Sequence, residues 1–77
     1  MAKYKLRIVF ENKDLGETDV RFDDVLNNKD AVFKVLSNKC CRIKGMREKV
    51  KNIEGKATFI DEVSAGAYIY EIEKLSE

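Results

Sequence analysis

A chain of 77 residues with 44% hydrophobic residues, 38% charged residues and a net charge of +1 can fill one modest core but not two. Abundant Val, Ile, Leu and Phe beside so small a net charge argue against disorder, and no run reaches the roughly 18 apolar residues that span a bilayer. The expectation is a single small globular domain over residues 1–77, near the low end of stability, where oligomerisation is a common remedy.

Residues 3–11 predict a strand. Tyr4, Leu6, Ile8 and Phe10 fall on one face and Lys3, Lys5, Arg7, Val9 and Glu11 on the other, the period of two of a half-buried strand. The same alternation lacks the continuous apolar run of a signal peptide. Asn12 to Gly16 reads as a turn, and residues 18–23 as a second strand with Val20 and Phe22 on one face, so a hairpin is the simplest connection. Residues 27–36 predict a helix. Asn27 or Asn28 can cap it, Asp30 complements its dipole, and Val32, Val35 and Leu36 share a face with Phe33 at the margin.

From Cys40 the pattern is ambiguous. Cys41 and Ile43 alternate like a strand, whereas Met46, Val50 and Ile53 are spaced for a helix, so residues 44–54 fit either state. Residues 56–63 and 67–75 read as a second hairpin around Ser64, Ala65 and Gly66. The last strand sets Tyr68, Tyr70 and Ile72 against Ala67, Ile69 and Glu71, and it can serve as an open edge. The fold class expected is α+β: an antiparallel sheet of four to five strands with one helix packed on one face, in the order β-β-α-β-β-β. An SH3-like small β-barrel with one helix is the alternative.

Chemistry is sparse in this sequence. Without histidine, the commonest general base and metal ligand is missing. Glycines at 16, 45, 55 and 66 stand too far apart for a phosphate-cradling loop or a dinucleotide fingerprint. The carboxylate pairs Asp23-Asp24 and Asp61-Glu62 diverge if they lie on strands. Adjacent Cys40 and Cys41 cannot staple distant parts of the chain and fit reduced thiols of a cytoplasmic protein. Neither an enzyme, a cofactor, a metal nor a membrane role is expected.

Two surfaces invite binding. Residues 39–56 carry seven basic against two acidic groups, a balance of +5, while residues 57–77 carry one against five, or −4. Lys39, Arg42, Lys44, Arg47, Lys49 and Lys51 are therefore nucleic-acid candidates. The terminal hairpin carries large apolar groups on both faces, so Phe59, Ile60, Tyr68, Ile69 and Tyr70 are protein-interface candidates. The function expected is a non-catalytic protein-interaction module, a small regulator or inhibitor of phage or mobile-element type, self-associating as a homo-oligomer. The alternative is a nucleic-acid-binding protein using the basic 39–56 segment.

Overall fold

The structure, a computed structural model, describes residues 3–38 and 45–76. The described residues form four strands and two helices, β1 (Lys3–Asn12), β2 (Thr18–Leu26), α1 (Lys29–Asn38), α2 (Met46–Lys51), β3 (Lys56–Val63) and β4 (Gly66–Ser76). The strands form one antiparallel sheet in the order β2-β1-β4-β3. That sheet is open, with β2 and β3 at its edges, so the barrel alternative does not describe it. The expected antiparallel sheet with a helix on one face is present, with four strands among the described residues, and a second, short helix is added to the expected one. The strand expected around Cys41 and Ile43 lies outside the described residues.

The first hairpin is closed by side-chain chemistry. Asn12 Oδ1 accepts from the backbone N–H groups of Asp14 (3.0 Å) and Leu15 (2.9 Å), the local pairing that makes Asn a turn former. Gly16, at φ 67°, then donates its N–H to the Asn12 carbonyl at 2.9 Å. The second hairpin turns through Ser64 and Ala65, with Val63 and Gly66 as the closing pair. Its turn is tied to the first by the Lys13 N–H donating to the Ala65 carbonyl at 2.9 Å.

Of the two candidate caps it is Asn28 that starts α1, its Oδ1 accepting from the Ala31 N–H at 2.9 Å. Val32 and Leu36, four apart, are the residues α1 buries. The ambiguous stretch resolves as helix from Met46, preceded by Gly45 in the left-handed conformation at φ 73°. Six residues are too few to be stable as an isolated helix, and α2 is held by contacts. Val50 is fully buried in the core, and Lys29 Nζ of α1 donates to the Lys51 carbonyl at 2.7 Å.

Both helices lie on one face of the sheet. Tyr4, Leu6, Ile8, Tyr70 and Ile72 from the central strands meet Val32, Leu36, Val50 and Ile53 in one buried cluster. Phe22, Leu26, Ala57, Phe59 and Tyr68 pack around it. Each fully buried aliphatic or aromatic side chain contributes about 1.5–3 kcal/mol, so this covered face is what holds the fold together. Among the described residues no helix is long and apolar enough to cross a membrane.

Two sequence expectations are corrected here. The last strand is not an edge, because β4 pairs with both β1 and β3. Nor do Val20 and Phe22 share a face. Ile8 pairs with Phe22 and Val9 with Val20, so β2 carries one extra residue, Arg21, at this point. A bulge of that kind interrupts the period of two, sending Phe22 toward the core and Val20 to the other side.

Candidate functional site: the open face of the sheet

The face away from the helices is built by the alternate residues of each strand. Along β1 these are Lys5, Arg7, Val9 and Glu11, and the register aligns them with partners on all four strands. The central row runs Val20, Val9, Ile69 and Ile60 from edge to edge of the sheet. The next row is Asp23, Arg7, Glu71 and Thr58, and the one beyond it is Val25, Lys5, Glu73 and Lys56. On the opposite side of the apolar row lie Thr18, Glu11, Ala67 and Glu62.

The apolar row is a second hydrophobic cluster. Val9 is only 5% exposed yet is not part of the helix-covered core. At the ends of the row Val20 is 51% and Ile60 58% exposed. An unbroken apolar row crossing a four-stranded sheet, flanked by charge, is more than the scattered exposed aliphatics normal on a surface.

The charged rows above it are mutually compensated. Arg7 lies 4.0 Å from Asp23 and 3.8 Å from Glu71, Lys5 lies 3.9 Å from Asp23, and Lys56 lies 3.7 Å from Glu71. These separations are those of loose ion pairs between partly exposed groups, which contribute little to stability. Lys5, Arg7, Lys56, Glu71 and Glu73 together line a shallow depression. Three basic residues (Lys5, Arg7, Lys56) face three acidic ones (Asp23, Glu71, Glu73), so this half of the face carries no net charge.

The interface candidates divide between the two faces. Ile60 and Ile69 lie in the open apolar row. Tyr70 is 2% exposed inside the helix-covered core. Phe59 packs against the same core beneath Lys49, whose Nζ lies 5.5 Å from the ring centroid. Tyr68 stacks on Phe10 with ring centroids 4.8 Å apart, on the helix side of the sheet. Sequence reasoning missed Val9 and Val20. The signal for Val9 was a β-branched apolar residue alternating with Lys5, Arg7 and Glu11, whereas Val20 was hidden by the bulge.

Of the nucleic-acid candidates, Lys39, Arg42 and Lys44 lie outside the described residues, as does the side chain of Arg47. Lys49 and Lys51 are exposed on α2, on the opposite side of the sheet from the apolar row. The paired carboxylates diverge. Asp23 lies across from Arg7 and Asp24 across from Leu6, while Asp61 lies across from Tyr68 and Glu62 across from Ala67. Among the described residues no three Cys, Asp or Glu side chains converge as a metal site would require. Compared with known proteins, the chain matches no described family, no curated protein and no solved structure.

Proposed function

We propose that this chain is a non-catalytic protein-interaction module that binds through the open face of its sheet. The observation that carries this reading is the edge-to-edge row Val20, Val9, Ile69 and Ile60, exposed at its ends Val20 and Ile60, while both helices occupy the other face. Burying such a row gives affinity, and the flanking charges give specificity and register. A small regulator or inhibitor acts in this way, by occupying a partner rather than by chemistry.

The test is affinity capture from host lysate with the wild-type chain and with an Ile60→Glu, Ile69→Glu double variant, each with and without nuclease. A protein captured by the wild type in both conditions and lost by a folded variant supports the reading. Capture that persists in the folded variant overturns it. Capture abolished by nuclease transfers the function to the basic 39–56 segment instead.

A further inference from the structure

We infer that the partner on the open face is a second copy of this chain, related by a two-fold axis that runs parallel to the strands between β1 and β4. This rests on the reading of that face as a protein-binding surface and deepens it by naming the occupant.

The argument is one of self-complementarity. In an isologous dimer each patch must match itself after rotation. A two-fold axis midway between the central strands lays β1 of one copy over β4 of the other and keeps each row over its own row. In the apolar row Val9 then meets the second copy's Ile69, and Val20 meets its Ile60. In the next row Arg7 meets the second copy's Glu71, and Glu71 meets its Arg7, while Lys5 is brought toward Glu73. The match arises because, in the two charged rows of this face, the central-strand cations Lys5 and Arg7 are on β1 and the acids Glu71 and Glu73 on β4.

The other two-fold arrangement, with the axis along the apolar row, opposes fewer charges. It sets Arg7 over the second copy's Glu11 but leaves Glu71 over Ala67 and carries Lys5 and Glu73 past each other's row. Opposed charges across an interface favour the first arrangement. Nucleic acid is disfavoured on the same face, since the rows flanking the apolar one offer no net positive charge to a phosphate backbone. Aligned packing of two sheets at about −30° is a standard way to close an open face.

Size sets the regime. Four strands by the rows from Lys5 to Glu11 make a patch roughly 19 by 20 Å, on the order of 400 Å² of flat footprint. A standard stable interface buries about 800 Å² per partner, so the dimer is a weak, concentration-dependent one. The intrachain ion pairs of Arg7 and Glu71, at 3.7–4.0 Å, are loose enough to be re-aimed across the interface.

The experiment is sedimentation equilibrium on the wild type, on Arg7→Glu, on Glu71→Arg, and on an equimolar mixture of the two variants. In either variant alone, position 7 faces a like charge at position 71 of its copy, and dimerisation weakens by about tenfold or more. In the mixture both facing pairs become opposite in sign, and dimers reappear as heterodimers. An intrachain role for Arg7 and Glu71 cannot produce that rescue, because each chain keeps its own mismatch. Should a variant fail to fold, isotope-filtered contacts between the Val20 and Ile60 methyls of differently labelled wild-type chains provide the same test, since these two are the exposed ends of the row. A wild type that stays monomeric up to about 1 mM, a mixture no tighter than its components, or the absence of those methyl contacts in a dimer overturns the inference. A monomeric wild type that still captures a lysate protein through the open face leaves the proposed function standing and assigns the face to a different protein.

Discussion

Val20 lies directly across from Val9, while Phe22, only two residues further along β2, pairs with Ile8 on the opposite side of the sheet. Arg21, the extra residue between them, keeps one edge strand serving both faces. Its guanidinium carbon lies 5.4 Å from the centroid of the Phe10 ring, and its Nε pairs with Asp19 at 2.9 Å. The bulge thus completes the apolar row on one side while leaving Phe22 to the core on the other. Replacing each by the same residue separates the two roles. Phe22→Thr is expected to cost about 2–3 kcal/mol, less than a fully buried Phe because Phe22 is only partly buried, whereas Val20→Thr should stay within about 0.5 kcal/mol. Urea unfolding measures both, and equal losses would show that the two side chains share a face after all.

Gly66 closes the second hairpin where β4 passes β1 at close range. A Cβ at this position would overlap the Glu11 carbonyl oxygen and crowd the Phe10 ring. Backbone cannot yield as a flexible side-chain tip can, so Gly66→Ala is expected to destabilise by about 1–3 kcal/mol. Chemical denaturation gives the magnitude. Ala65→Gly, one residue earlier in the turn, serves as the control for general changes in chain flexibility.

Lys29 is the tie between the helices. Its ammonium group meets the Lys51 carbonyl at 2.7 Å, at the end of α2 where the helix dipole is negative and carbonyls lack helical partners. Lys29→Met keeps the alkyl stem and removes the charged donor. The expected loss is about 1 kcal/mol, and native-state hydrogen exchange of the α2 amides should quicken by roughly fivefold. Unchanged exchange in α2 would mean that Val50 and Ile53 alone hold this helix.

Tyr4 is fully buried, and its hydroxyl has no hydrogen-bond partner among the described residues. A buried hydroxyl left unpaired is unfavourable. Tyr4→Phe, which removes that oxygen and keeps the ring, should therefore leave stability unchanged or raise it by up to about 1 kcal/mol. Thermal and urea unfolding decide the sign. A loss of stability would reveal a partner supplied from outside the described residues.

Much of the architecture was legible in the chain. The alternation of Tyr4, Leu6, Ile8 and Phe10 with charged neighbours marked β1, and Asn28 followed by Val32 and Leu36 marked α1. The apolar character of Ile60 and Ile69 on the face away from Tyr70 was also visible, since side-chain direction follows from alternation within one strand. The segment from Met46 was not legible, because a single turn and a half of helix has too few residues for its period to emerge. Gly45 and the packing of Val50 decided it.

What the sequence by itself determined was local: the strands, the helix start, the turns, and the absence of histidine or clustered glycine on which a catalytic reading would rest. These depend on residues within one or two turns of each other, where periodicity and capping act. Tertiary structure decided which strands became neighbours, and with them the composition of the candidate site. Val20, Val9, Ile69 and Ile60 span 61 positions of the chain, from 9 to 69, and meet only because β4 inserts between β1 and β3 and because Arg21 bulges from β2. Pairing register is set by core packing on the far face of the sheet, through contacts between residues remote in sequence. The row of apolar side chains on the open face is a consequence of that register.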